Sequence, residues 1–288
     1  MQIDPNEIKN PDLLKILQGA VAPRPIAFAS TVDKEGNVNL SPFSFYNVFG
    51  INPTTLIFSP ARRGRDNTTK HTFENVKEVA EVVINAVSYG MVQQMSLSST
   101  EYPKGVNEFD KAGFTPVDSV KVKPPRVKES PVSFECKVRE IIETSGEPGS
   151  GNLVVCEILF IHVDEKILDK EGNIDPNKID LVGRLGGDYY TRTNDSSNFK
   201  VLKPLTTLGI GVDSLPKEIR NSSVLTGNDL GRLGNAENIP SDEEVKKSMM
   251  SPLYRSLAKD ETSRHNFAKK LIAENNIKEA LKVLLLGS

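Results

Sequence analysis

The alternation of apolar and polar positions defines the first strongly patterned stretch of the chain. Ile26, Phe28 and Ser30 fall on one face of an extended segment, and Ala27, Ala29 and Thr31 on the other, which predicts a strand. A polar turn follows at Asp33-Lys34-Glu35-Gly36-Asn37, with Gly36 and Asn37 suited to positive φ. The return strand runs straight into Ser41-Pro42-Phe43-Ser44-Phe45-Tyr46-Asn47. An apolar hairpin ending in hydroxyls, an amide and aromatics suits a flat ligand with polar edges. The same residue types also make ordinary loops.

Elsewhere the period alternates between helix and strand. Residues 6–19 carry Ile8, Leu13, Leu14 and Leu17 at helical spacing, with Gly19 as a stop. Pro53 to Ser59 and Glu81 to Val87 read as strands. Thr72 is placed to cap a helix through Phe73, Val76 and Val79. Residues 90–98 read as a helix with Met91, Met95 and Leu97 inward, and Glu108 to Ala112 as a short one. Val132, Phe134, Cys136 and Val138 alternate with polar partners, and Asn152 to Val163 is more apolar, as in a well-covered strand. This predicts a mainly β fold over residues 1–200, a closed β-barrel with helical insertions. Near Phe199 the character changes. Residues 200–240 are rich in Gly, Asn and Leu and poorly periodic. Ser241-Asp242-Glu243-Glu244 is a capping-box pattern, and Arg264 to Asn275 and Ile277 to Leu286 read as helices. Residues 201–288 therefore form a mostly helical C-terminal extension.

Composition narrows the class. A net charge of −2 over 288 residues gives no reason to expect nucleic acid or an anionic membrane as partner. No apolar run is long enough to span a bilayer, and the first residues lack the apolar stretch of a secretory signal. Two cysteines, Cys136 and Cys156, are too few for a disulfide scaffold, so a cytoplasmic setting is expected. Both sit among apolar residues and read as core thiols.

Two polar clusters stand out. Arg62, Arg63, Arg65 and Lys70 lie close together with Thr68, Thr69 and Thr72, and Lys70 and Thr72 open a predicted helix. Cations, hydroxyls and helix N–H groups suit a phosphate, and a solvated charged loop has the same composition. The second cluster is Gly183-Arg184-Leu185-Gly186-Gly187-Asp188-Tyr189-Tyr190, where glycines permit close backbone approach and the tyrosines can stack; a plain turn is the competing reading. His71, His162 and His265 lack partners at metal-ligand spacing. No nucleophile elbow or phosphate-binding P-loop occurs, and Gly209-Ile210-Gly211 meets Ser214 where a dinucleotide fingerprint needs its third glycine. A phosphate loop without a nucleophile or acid/base pair suits an enzyme whose cofactor performs the chemistry.

Over residues 15–195 the chain resembles the flavin reductase-like, FMN-binding split β-barrel family of flavoredoxin-type proteins. The likeness rests on Pro23-Arg24-Pro25-Ile26-Ala27 with Ser30-Thr31, on Ser41 to Asn47, and on Phe58-Ser59-Pro60. It continues through Lys70-x-Thr72-x-x-Asn75, Val83-Ile84-Asn85, Gly105 to Phe109 and Arg184-Leu185-Gly186-Gly187-x-Tyr189. The resemblance implies non-covalent FMN and a homodimer. By position it implies that Thr31, Ser44, Phe45 and Asn47 line the ring or ribityl chain, with Ser59 adding a contact. Arg62, Lys70 and Thr72 would hold the phosphate, Ser98 and Ser99 would lie near the flavin, and Arg184 and Tyr190 would close the site. No side chain is expected to be catalytic. Two departures are His71, where the family commonly has Asp, and the extension beyond residue 200. The implied activity is electron transfer from NAD(P)H through FMN to a small-molecule or protein acceptor. An FMN-binding electron carrier without its own NAD(P)H site is the alternative, and a flavin-free interaction protein a third.

Overall fold

The computed structural model describes residues 1–287. The chain divides into two compact units, residues 1–199 and 200–288. The first unit runs α1 (Asn10–Ala20), β1 (Ala27–Val32), β2 (Val38–Phe43), β3 (Tyr46–Ile51), β4 (Thr54–Phe58), α2 (His71–Glu78) and β5 (Glu81–Asn85). It continues with α3 (Val92–Leu97), α4 (Glu108–Ala112), β6 (Pro116–Val117), β7 (Arg126–Val127), β8 (Val132–Glu143), β9 (Asn152–Val163), β10 (Val182–Arg184) and β11 (Tyr190–Arg192).

Seven strands form one antiparallel sheet in the order β2-β1-β5-β8-β9-β4-β3. Strand β1 is buried along its whole length because it has an apolar layer on each side. Ile26 and Phe28 pack with Leu40, Met91, Met95 and Phe109. Ala27 and Ala29 face the second cluster, with Phe58, Ile84, Cys136 and Cys156. A strand covered on both faces needs small or apolar residues throughout, as its sequence provides. The turn after β1 closes with Asn37 N–H donating to the Asp33 carboxylate at 2.8 Å. Only Gly36 in that turn takes positive φ (87°), so Asn37 is not left-handed as expected.

The expected closed barrel is not closed. The edges of the sheet, β2 and β3, follow each other in sequence and are joined by Ser44 and Phe45, yet no ladder pairs them among the described residues. The polar-aromatic run after β2 breaks the strand at this point, and the chain restarts as β3. Phe43 and Phe58 meet across the interior with ring centroids 5.6 Å apart, so side chains fill the space beside the split.

Two smaller expectations also change. Thr72 does not cap α2: Lys70 is the cap residue, and the Thr72 hydroxyl accepts from the Asn39 amide at 2.8 Å. Leu97 points outward at 47% exposure, whereas Met91 and Met95 are buried.

The second unit is helical: α5 (Lys217–Arg220), α6 (Gly227–Gly234), α7 (Asp242–Ser248), α8 (Pro252–Leu257), α9 (Glu261–Ala273) and α10 (Ile277–Leu284). It has its own core, in which Leu215, Ile219, Leu233, Ile272, Leu281 and Leu284 are nearly or wholly buried. The capping box at Ser241 and Glu244 is present. The Gly209-Ile210-Gly211 stretch pairs with the end of α6, Ile210 N–H donating to Ala236 O (2.8 Å) and Gly211 N–H to Gly234 O (2.9 Å). Any Cβ on Gly234 would lie 2.9 Å from the Val212 nitrogen, so this crossing requires glycine.

Candidate functional site

The split between β2 and β3 organises the site, because Ser44 and Phe45 face different hollows. Phe45, 42% exposed, lines a groove of about 740 Å³. Leu13, Leu14 and Leu17 of α1 supply an apolar wall, and Arg62 and Arg65 a cationic rim. Ser44 instead lines a cavity of about 160 Å³ with Met95, Ser99, Arg184 and Tyr190. The Arg184 guanidinium lies over the Tyr190 ring, 4.6 Å from its centroid, and both also line an adjoining hollow of about 370 Å³.

Arg24 ties these walls together. Its buried guanidinium donates to the carbonyls of Gln18 (2.5 Å), Val21 (2.6 Å) and Leu185 (2.9 Å), and its Nε lies 3.4 Å from the Ser44 hydroxyl. It thereby satisfies carbonyls at the end of α1 that have no partner within the helix. Burial and the neighbouring Arg184 both push its pKa down from the usual guanidinium value. Gly186 sits where a Cβ would come 3.3 Å from the Gly19 Cα. Close approach at that glycine is therefore to the end of α1.

Of the remaining expected contacts, only Ser99 lines one of these hollows. Thr31, Ser59, Thr72 and Ser98 are buried with their hydroxyls engaged by protein. Thr31 accepts from Asn75 (3.2 Å), Ser59 from the Asn152 N–H (3.1 Å), and Ser98 donates to the Met95 carbonyl (2.7 Å). Ser99 donates to the Ser96 carbonyl (2.6 Å) while lining the small cavity. Asn47 is exposed, its side-chain oxygen accepting from Val48 N–H.

The basic loop is more ordered than its composition suggests. Arg62 donates to the Asn67 side chain (2.8 Å) and carbonyl (2.7 Å). Arg63 and Lys70 reach one oxygen of Glu101 at 3.0 and 3.5 Å, and Arg65 pairs with the other. Burial and the Arg63 charge push Lys70 below its usual pKa, although Glu101 opposes this. Burial also pushes the His71 pKa down, which disfavours its charged form. Glu101 had no signal in sequence: it is a lone acid in a loop, 31 residues from Lys70. Arg24 had one, the Pro-Arg-Pro run that restricts the backbone on both sides of it.

The other histidines and the cysteines lie outside these hollows. His162 lies 2.6 Å from the buried Glu135 carboxylate. Cys136 and Cys156 are free and buried in the core, and burial pushes the Cys156 thiol up to about 12. Among the described residues no three His, Cys, Asp or Glu side chains gather as a metal site.

The chain is similar to known proteins in both sequence and fold. Residues 20–178 match the flavin reductase like domain, and the chain belongs to that family. An uncharacterised protein of Aquifex aeolicus (strain VF5) is 40% identical over 201 residues, 70% of this chain and all of that protein. Nitrilotriacetate monooxygenase component B from Bacillus cereus is 28% identical with a TM-score of 0.65, covering 70% of this chain and 98% of that one. A protein with a split barrel domain from Shewanella frigidimarina NCIMB 400 is 26% identical with a TM-score of 0.59, covering 70% of this chain and 100% of that one. The family match ends before the helical second unit.

Proposed function

We propose that the protein is an oxidoreductase that binds FMN non-covalently and passes electrons from NAD(P)H to a small-molecule or protein acceptor. The observation that carries this reading is the groove shared by Phe45 and Arg62. It pairs an exposed aromatic ring and apolar walls with a cationic rim, as an isoalloxazine and a phosphate require. Family membership supports a flavin. The residues present fit it: Phe45 and the α1 leucines would cover ring faces, and the loop cations would hold the phosphate. The bound flavin would supply the redox chemistry through N5. The protein's part is to orient the ring and keep one face open to the nicotinamide. No nearby side chain is needed as acid or base. A homodimer in the cytoplasm completes the proposal.

The test is the visible spectrum of the purified protein. A flavin spectrum that bleaches anaerobically with NADH or NADPH supports the reading. Bleaching by dithionite alone leaves an electron carrier. Colourless protein that leaves the fluorescence of added FMN unquenched overturns it.

A further inference from the structure

Three cations of the basic loop converge on one carboxylate. Glu101 Oε1 lies 3.0 Å from Arg63 Nε and 3.5 Å from Lys70 Nζ, and its other oxygen pairs with Arg65. Glu101 comes from the segment after α3, so the contact joins distant parts of the chain. Arg63 has only neutral partners otherwise, the Thr68 hydroxyl at 2.9 Å and the Thr69 carbonyl. Arg65 also meets Asp66 at 3.0 Å. The three cations thus outnumber the two carboxylates that contact them, and this corner keeps an excess of positive charge.

We infer that Glu101 is an internal counter-anion that competes with a phosphate monoester for Arg63, Arg65 and Lys70. This rests on the flavin reading above, and it adds Arg63 and Arg65 to Lys70 as phosphate contacts. A carboxylate brings one charge and two oxygens. A phosphate monoester brings three terminal oxygens and nearly two charges at pH 7. Glu101 is 36% and Arg65 67% exposed, and ion pairs open to solvent in this way are individually weak, although Arg63 is only 15% exposed. The stronger anion therefore displaces it.

The experiment is fluorescence titration of the full chain with FMN and with riboflavin, comparing wild type, Glu101→Gln and Glu101→Asp. Gln removes the charge. Asp keeps it but is one methylene too short to span the three cations. Competition predicts that both variants bind FMN more tightly, by roughly tenfold for Gln, the combined worth of a few exposed ion pairs. Riboflavin affinity should not change. Tightening by Gln alone would reduce Glu101 to a through-space charge and overturn the competition. Unchanged or weaker FMN binding in both would make Glu101 bystander or support, and also overturn it. Each of these outcomes leaves flavin binding intact; failure of every form to bind either flavin would instead defeat the functional reading itself.

Discussion

At the scale of single residues, the buried charges are held by directed hydrogen bonds. Glu135 has no exposed surface, and burial alone would raise its pKa. Backbone N–H groups of Val120 (2.8 Å) and Lys121 (2.5 Å), together with His162, more than offset this and hold it below the usual glutamate value. A carboxylate depressed in the folded state stabilises above its unfolded pKa, near 4.5, and loses that contribution as pH falls through the folded value. Denaturant melts between pH 6 and pH 3 should therefore show a loss below about pH 4.5 that Glu135→Gln reduces. An identical acid slope in wild type and variant would exclude Glu135 as a source. Arg24 is the cationic counterpart. Arg24→Met would strand carbonyls of Gln18, Val21 and Leu185, and should destabilise by about 2–3 kcal/mol in the same melts. A change within about 0.5 kcal/mol would show that water or other groups replace the guanidinium.

At the scale of elements, what could be read from sequence depended on periodicity. Strand β8 and helix α10 were legible because one face of each is regularly apolar, and β9 because it is a long, nearly continuous apolar run. The break between β2 and β3 was not, because Ser44 and Phe45 interrupt an otherwise continuous β-forming run without a turn signal such as Gly. Helix α6 was missed for another reason. Its sequence, GNDLGRLG, holds three glycines, each costing about 1 kcal/mol of helix propensity relative to alanine. Its one local signal is the Thr226–Asp229 capping box, in which Thr226 N–H donates to the Asp229 carboxylate at 2.8 Å and the hydroxyl accepts from Asp229 N–H at 3.3 Å. With weak propensity, the cap carries more of the helix than usual. Thr226→Ala should cost about 1 kcal/mol, whereas Thr226→Ser, which keeps the hydroxyl, should cost much less. Calorimetry of the two variants checks this; equal melting temperatures would remove the cap from the account. The site was legible only in part for a similar reason. Residue types mark Ser44, Phe45, Arg62 and Arg184 as polar or aromatic, but the partners that decide their availability come from distant segments.

At the scale of the whole molecule, the open sheet leaves an edge to be explained. Strand β3 ends the sheet, and its Val48, Phe49 and Ile51 are 59%, 65% and 87% exposed. A register shift between Val48 and Gly50 leaves Phe49 without a partner on β4. Bulges of this kind turn a side chain away from its own sheet and blunt an edge. Apolar side chains grouped on an edge strand are costly to leave in water, and a second copy of the chain would cover them. The proposed homodimer therefore has a definite weak point. Phe49 makes little of the first unit's core, so Phe49→Asp should leave each copy folded, with thermal stability falling only by what association contributes at the protein concentration used. The same change places a carboxylate in the proposed interface, where burying it unpaired costs several kcal/mol, and a symmetric dimer meets that cost twice. Light scattering behind size exclusion at micromolar concentration should then report a dimer for wild type and a monomer for Phe49→Asp. A monomeric wild type, or a variant that stays dimeric, would move the interface away from β3. If the monomeric variant stays folded by circular dichroism yet loses its flavin, a groove bordered by Phe45, four residues before Phe49, draws part of its wall from the partner copy.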